Sequence, residues 1–427
     1  MKKKSNIFFN KKILIYGLGK SGISTFNFLK NKSDVFLYDD FYKNSKKILS
    51  YNSVNNTNFD YIIISPGIDI NKCRLSKYLK KNFKKIYSDL DVFYSVYKND
   101  CITITGTNGK STTCQLLFEI LKKQNCDVKL VGNIGNPILS AKKIKSKTIF
   151  VVEASSYQLE YSKIFKSKYA AILNISPDHI ERHKTIERYV NAKFSILNNQ
   201  SKKSFGFVKK NDNFIKKKLR RERFNCKIIR VNSFKKNHVV NKIKNEYFST
   251  EANKENLLFA LKISEKLKLK KNLIIESIEK FKGLKYRQQI IFKNSFMKII
   301  NDSKSTSFAS SIAILKDNPN IYWLVGGINK KGDKFKLPKK HYKKIRCFIF
   351  GKKRNFFNKQ LKDKINCENF DNLNDAVKRV FNLIKKQKFV NKTIFFSPSA
   401  ASFDNFKNFE DRGKYFNKLI KKYDYGQ

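Results

Sequence analysis

An apolar, β-branched run, Cys101-Ile102-Thr103-Ile104, leads into Thr105-Gly106-Thr107-Asn108-Gly109-Lys110-Ser111-Thr112, and that octapeptide leads into a helical pattern over Cys114–Leu121. Strand, glycine loop and helix in that order make a phosphate cradle. The glycines let backbone N–H groups face an anion, and the helix N-terminus adds partial positive charge. In such a loop Lys110 reaches the terminal phosphates and the Ser111 hydroxyl holds Mg²⁺. An ordinary helix entry with a Ser/Thr cap would leave Gly109-Lys110 unexplained. The spacing is short: Gly106 is followed only by Thr107 and Asn108 before Gly109-Lys110, where the general P-loop has four residues in between.

At 427 residues the chain has room for about three domains, each with its own core. Its 41% hydrophobic content fits a globular protein despite a formal net charge of +57. Such charge suggests a nucleic-acid or anionic-membrane partner. Here it is mostly Lys, spread along the whole chain, and Lys, Asn, Ile, Phe and Tyr are enriched together, as an AT-rich genome produces. Charge alone gives no base readout, so the lysines read as a solvated surface with salt-sensitive, non-specific polyanion binding and no specific nucleic-acid partner. The seven Cys are scattered without a C-x-x-C pair, which argues for reduced thiols in a cytoplasmic protein rather than a disulfide framework or a zinc site. Met1–Phe9 begins like a signal n-region, but Asn10-Lys11-Lys12 interrupts it. No apolar run approaches membrane-spanning length, so no membrane insertion is expected.

Three α/β segments follow one another. The first opens with the strand Lys12-Ile13-Leu14-Ile15-Tyr16, then Gly17-Leu18-Gly19-Lys20-Ser21-Gly22, a match to G-x-G-x-x-G, and a helix pattern through Leu29. A second strand, Asp34–Tyr38, ends at Asp39-Asp40, where an acid often holds a ribose. A third, Tyr61–Ile64, ends at Ser65-Pro66-Gly67-Ile68. The segment is too short for a complete dinucleotide fold, and a half-Rossmann domain binding UDP fits better. The second segment carries the P-loop and further strands at Thr148–Val152 and Ala170–Asn174, suggesting a mostly parallel, doubly wound sheet. Residues 202 to 246 read as short strands and loops. The third segment has strands at Lys298–Ile300, Tyr322–Val325, Cys347–Phe350 and Thr393–Phe396, each ending at Gly, Asp or Ser-Pro. The expected boundaries are 1–95, 96–283 and 284–427.

The polar clusters fall after strands, where ligands sit in such sheets. They are Gly132-Asn133-Ile134-Gly135, then Glu153-Ala154-Ser155-Ser156-Tyr157-Gln158, then Asn174-Ile175-Ser176-Pro177-Asp178-His179. A carboxylate at the end of a buried strand, Glu153, suits a metal near phosphates. His179 could bind a metal or position a phosphate, although a lone His is more often structural. Nothing in composition separates Lys193, in Tyr189-Val190-Asn191-Ala192-Lys193, from the other lysines.

In order, GTNGKST, GNIG, EASSYQLE, NISPDHIERH, YVNAK, YRQQ, INDSKST, GGINK and SPSAASFDNFKNFEDRG resemble the Mur ligase pattern across nearly the whole chain. The resemblance implies three domains: a Rossmann-like N-terminal domain, a central P-loop ATPase-like doubly wound domain and a C-terminal Rossmann-like α/β domain. It implies an ATP-dependent ligase of cytoplasmic peptidoglycan precursor synthesis. ATP would phosphorylate the carboxylate of UDP-MurNAc-L-Ala, and the amine of D-glutamate would attack the acyl phosphate. A carboxylate is a poor electrophile and phosphate a good leaving group, so the enzyme mainly has to neutralise charge and align groups.

Residue by residue, the resemblance implies that Gly106 to Thr112 hold ATP, with Lys110 on the β/γ-phosphates and Asn256, Arg287 and Asp302 as further ATP contacts. Lys304 lies in the same Asp-Ser-Lys motif. Ser111 and Glu153 would contact one Mg²⁺ and His179 a second. Lys193 matches a lysine carbamylated by CO₂, which turns a cation into an anion able to help hold that second metal. Lys110, Glu153, His179 and Lys193 would form the catalytic group. Gly17, Lys20, Ser21, Asp39, Gly67, Asn133 and Ser155 would bind the UDP-linked substrate. Thr306, Lys330, Ser402 and Phe409 would bind D-glutamate, a dicarboxylate suited by a cation and hydroxyls. A monomer is expected. Two positions depart from the family: Tyr286 and Ala252 stand where it usually has His. Tyr can donate a hydrogen bond and Ala cannot. In Gly326-Gly327-Ile328-Asn329-Lys330-Lys331 the pocket lysine is read as Lys330 rather than Lys331.

Other functions fit less of the chain. The diaminopimelate-adding member of the family should carry a D-N-P-R-type motif, and there is none. A folylpolyglutamate synthetase would not need the first segment. An NAD-dependent oxidoreductase would leave the P-loop unused. A basic nucleic-acid-binding ATPase would want a standard P-loop and clustered basic or aromatic surfaces.

Overall fold

A computed structural model describes residues 6–41, 48–232, 238–330, 332–385 and 391–423. Lys331, the alternative to Lys330 for the pocket lysine, lies outside them.

The chain builds three sheets in succession. The first orders β2-β1-β3-β4, from β1 (Lys12–Tyr16), β2 (Asp34–Tyr38), β3 (Tyr61–Ile64) and β4 (Ile86–Tyr87). The second is β10-β9-β8-β5-β7-β6, from β5 (Cys101–Thr105), β6 (Val128–Gly132), β7 (Ile149–Glu153), β8 (Tyr169–Ile172), β9 (Phe205–Lys209) and β10 (Lys227–Val231). All its pairings are parallel, as expected for strands joined through helices. Strand β5 is buried along its whole length, so it is apolar or threonine throughout instead of alternating. The third sheet is β11-β12-β16-β13-β14-β15, from β11 (Gln289–Lys293), β12 (Met297–Asn301), β13 (Ile321–Gly326), β14 (Ile345–Phe350), β15 (Asn366–Phe370) and β16 (Lys392–Phe396). It is parallel except for β11, which pairs antiparallel with β12 through an irregularity between Ile290 and Phe292.

By contacts the chain divides into two compact units. One comprises residues 1–243 and 255–280, the other 244–254 and 281–427. The first unit holds the first two sheets, which share one core. The helix Asp89–Val96 enters it with Leu90, Val92 and Phe93, and Phe93 meets Phe150 of β7 edge-on at 4.8 Å. The buried Asp91 carboxylate on the same helix accepts the N–H groups of Lys163, Ile164 and Phe165 at 2.9, 2.8 and 3.0 Å. A carboxylate so enclosed is stable only when its lone pairs are used. In the second unit, one core cluster includes Phe308, Trp323, Phe335 and Phe357, and another includes Phe348, Phe396 and Phe416.

Residues 202 to 246 hold more than strands and loops. Between β9 and β10 runs the helix Asn213–Arg221, capped by Asp212, whose carboxylate accepts from Phe214 and Ile215 at 3.0 and 3.1 Å. The cap and the inward Ile215 make the helix, and the run of basic residues around them hides the periodicity.

Candidate active site

The P-loop follows β5. Gly106 and Gly109 have φ of 151° and 83°, which an L side chain rarely adopts. A Cβ on Gly109 would lie 2.0 Å from Oδ1 of Asn256, so the loop closes against that amide. The helix Lys110–Lys123 starts immediately afterwards. Lys110 curls back, and its Nζ donates to the carbonyls of Gly106 and Thr107, both at 2.9 Å. Asn174, just beyond β8, grips the loop: its side-chain oxygen accepts from Asn108 N at 2.9 Å, and its own carbonyl accepts from Thr107 N at 2.9 Å. The Thr107 hydroxyl lies 3.0 Å from that of Tyr189. Thr112 is buried in the first turn.

Glu153 ends β7, whose register against β5 pairs it with Ile104. Its carboxylate, 1% exposed, accepts from Ser111 Oγ at 2.6 Å and from Asn133 Nδ2 at 2.8 Å. The loop serine, the strand-end acid and the Gly-Asn-Ile-Gly asparagine therefore meet at one group. Ser155 caps the helix Ser156–Glu160 and accepts from Gln158 N at 3.2 Å. Gln158 in turn donates to the fully buried Asp89 at 3.3 Å. Burial pushes the Asp89 carboxyl up from its usual range.

Lys193, on the helix Ile186–Asn198, is 1% exposed. Its Nζ donates to Gly106 O at 2.8 Å and lies 4.5 Å from the centre of the Tyr189 ring. Burial, then the repulsion of Lys110, holds its pKa well below that of a free lysine. His179 is left-handed (φ 55°) and caps the short helix Ile180–His183. Its Nε2 is 3.3 Å from Asp178 and its ring 5.0 Å from Tyr157. His183 is wholly enclosed, with Nε2 3.0 Å from Ser156 Oγ. Burial, with Arg182, His179 and Lys193 nearby, lowers its pKa to about 4. Among the described residues no group of three or more His, Cys, Asp or Glu is arranged to hold a metal.

At the first glycine loop, Gly17 has φ 93°, and a Cβ on Gly22 would fall 1.9 Å from Gly17 O. Asp39 is committed to backbone: its Oδ2 accepts from Leu18 N at 2.7 Å and its Oδ1 from Phe41 N at 2.9 Å. The acid thus orients the loop. Lys20 and Gly67 are exposed and Ser21 half-buried.

The second unit carries the remaining candidates. Asp302 follows β12, buried, accepting from Gln288 N and Ser397 Oγ, both at 3.1 Å. Burial raises its pKa to about 7 against the opposing pull of those hydrogen bonds and of Arg287. Lys304 Nζ sits 3.9 Å over the Phe409 ring. The loops after β13 and β16 pair through Ile328 and Ala401 at 3.0 and 2.9 Å, bringing the Lys330 loop beside the Ser402 loop. Thr306 follows Ser305, whose carbonyl accepts from Ala400 N at 3.3 Å. Tyr286 packs its ring on Gly413, where a Cβ would be 2.3 Å away. Asn253, after Ala252, is buried and donates to Tyr247 O at 2.8 Å.

Sequence reasoning places Asn174, Gln158 and Arg412 within motifs but assigns none of them a role. Arg412, 1% exposed, donates to the carbonyls of Ser303 and Ala400 at 2.7 and 2.8 Å and to Ser303 Oγ at 3.2 Å. It ties the Asp302 loop to the Ser402 loop. Its place inside the Phe409–Gly413 motif was the available signal.

A glycine loop between strand and helix, a buried acid on its serine and a buried lysine of lowered pKa lie together at the ends of β5 and β7. Residues 104–274 match the model of the Mur ligase middle domain. The chain is 34% identical to the UDP-N-acetylmuramoylalanine–D-glutamate ligase of Rickettsia felis, covering 97% of each. It is 35% identical to the protein of that name from Buchnera aphidicola, covering 97% of this chain and 98% of that one. Two solved structures from Thermotoga maritima share the fold. MurF in complex with ADP aligns at TM-score 0.57 and 14% identity over 97% of this chain and 96% of that one. UDP-N-acetylmuramate-alanine ligase MurC aligns at 0.56 and 15% over 96% and 99%. The chain belongs to the Mur ligase family, ATP-dependent ligases of peptidoglycan precursor synthesis that act on small molecules. Among the described residues no helix is long and apolar enough to cross a membrane.

Proposed function

We propose that the chain joins D-glutamate to UDP-N-acetylmuramoyl-L-alanine, forming ADP and phosphate through an acyl phosphate. The observation that supports this reading is the Glu153 carboxylate, which accepts hydrogen bonds from both Ser111, assigned here to the nucleotide, and Asn133, assigned here to the UDP-linked substrate. The relatives' name supplies the substrates.

In this reading the backbone from Gly106 to Thr112 and Lys110 hold the ATP phosphates, while Asn256, Arg287 and Asp302 hold the rest of the nucleotide. Mg²⁺ fits Ser111 and Glu153, a hydroxyl and a buried carboxylate at the loop mouth, and would supply neutralisation of phosphate charge. His179 and Lys193 are the candidates for a second ion. Lys193 fits carbamylation: only a neutral amine adds CO₂, and burial beside Lys110 favours the neutral form. Gly17, Lys20, Ser21, Asp39, Gly67, Asn133 and Ser155 serve the UDP-linked substrate, Asp39 by orienting the Leu18 backbone. Thr306, Lys330, Ser402 and Phe409 serve D-glutamate. Domains at 1–95, 96–283 and 284–427, a monomeric state, a cytoplasmic location without membrane insertion, and the absence of a specific nucleic-acid partner belong to the same proposal.

The test is phosphate release from Mg·ATP with UDP-MurNAc-L-Ala, with D-glutamate, with L-glutamate, with neither, and with DNA. Release that needs both substrates and prefers D-glutamate is expected. Turnover with DNA or another amino acid instead would overturn the substrate assignment while leaving the nucleotide loop intact.

A further inference from the structure

Two of the seven cysteines are brought together by strand pairing. In the third sheet β14 and β15 run parallel, and their register sets Cys347 directly against Cys367. Directly opposed residues point to the same face, so the two thiols are neighbours, close enough for each to shift the other's pKa. Cys347 is buried, 1% exposed. Cys367 is half-buried on the edge strand, its Sγ 3.2 Å from Ile365 O, and it lines an open depression with Asn358, Lys362, Ile365, Asn366 and Asn369. One thiol is therefore reachable from solvent beside a lysine, and the other stands behind it.

We propose that Cys347 and Cys367 form a reversible oxidation site, in which a peroxide reacts at Cys367 and Cys347 resolves the product to a cross-strand disulfide. The Cys367 thiolate attacks a peroxide oxygen; the O–O bond breaks, giving a sulfenic acid and hydroxide. The Cys347 sulfur then attacks the sulfenic sulfur, the S–O bond breaks, and water leaves carrying the Cys347 proton. Two thiols are oxidised and one peroxide is reduced to water. The more exposed position of Cys367 and the burial of Cys347 divide the roles of attacking and resolving group, and the thiol pKa values move the same way, Cys367 down beside its neighbour and Cys347 up by burial. Paired strands lie about 4.8 Å apart, within the Cα range a disulfide tolerates but wide for its Cβ atoms. Such a bond is strained, and strained bonds are readily reduced. The site is independent of the ligase reading, since neither thiol belongs to the proposed catalytic groups.

The experiment treats the full chain with limiting hydrogen peroxide and maps its peptides without reduction. The expected result is a Cys347–Cys367 linked peptide, loss of two hydrogens in the intact mass, and reversal by dithiothreitol. In Cys347→Ser, Cys367 should be trapped by dimedone as the sulfenic acid; in Cys367→Ser the residue 347 peptide should stay reduced. Oxidation that begins at Cys73 or Cys126, or a Cys367 that passes to sulfinic acid without any link to Cys347, would overturn the proposal in the unmodified chain.

Discussion

The Nζ atoms of Lys110 and Lys193 converge on one acceptor, the carbonyl oxygen of Gly106, at 2.9 and 2.8 Å. Two ammonium groups sharing an oxygen repel each other, and the buried one gives up its proton more easily. Lys193→Arg keeps a fixed charge there and cannot add CO₂. We expect kcat to fall by about 100-fold, the scale seen when groups supporting a metal are removed, with the ATP Kd changed much less. Carbon-13 NMR under labelled CO₂ should show a carbamate signal in the parent and none in the variant. Full activity of Lys193→Arg would remove the lysine from the mechanism.

Ser111→Ala leaves one oxygen of Glu153 without its 2.6 Å donor and takes away a candidate metal ligand. Activity at limiting Mg²⁺ should drop about 10- to 100-fold and recover in part as Mg²⁺ is raised. A purely structural hydroxyl would lower Tm without altering the Mg²⁺ dependence, and titrating the ion separates the two.

Much of this was legible in the chain. Strands β1, β2 and β3 coincide with the apolar runs Lys12–Tyr16, Asp34–Tyr38 and Tyr61–Ile64, because buried parallel strands read as short unbroken hydrophobic stretches. The edge strand β15, Asn-Cys-Glu-Asn-Phe, did not announce itself, since a half-exposed strand carries polar residues that loops carry too. Strand β8 was read as ending two residues too late. Leu173 still hydrogen-bonds β5, through Thr105 O, but Asn174 turns away to hold the P-loop. The roles of Asn174, Gln158 and Arg412 stayed hidden for a common reason: their partners lie far off in sequence, and two of the three act largely on backbone atoms.

Asp302 gives a pH signature. Its folded pKa, raised to about 7 by burial, exceeds the ordinary value of about 4. Between those pH values the folded chain binds a proton that the unfolded chain has released, so stability falls as pH rises from about 4 to 7 and then levels. Asp302→Asn should flatten that part of the profile, measured by urea unfolding at several pH values. An unchanged slope would show that another group controls it.

Arg412→Lys has one nitrogen in place of two, so it cannot hold the Ser303 hydroxyl as well as the Ser303 and Ala400 carbonyls. Losing one such charged hydrogen bond should cost about 2 kcal/mol, seen as a lower urea midpoint. If the two loops form the amino-acid pocket, KM for D-glutamate should rise while KM for ATP stays near its parent value. Equal changes in both would separate Arg412 from that pocket.

The pairing of Ile104 with Glu153 sets more than a sheet register. Side chains alternate across the pleat, so a shift of β7 by a single residue would turn the carboxylate to the opposite face and present Val152 in its place. Ser111 would then face hydrocarbon. Whether this protein can hold a charged ligand is therefore decided during folding, by two apolar strands finding their alignment before any nucleotide arrives.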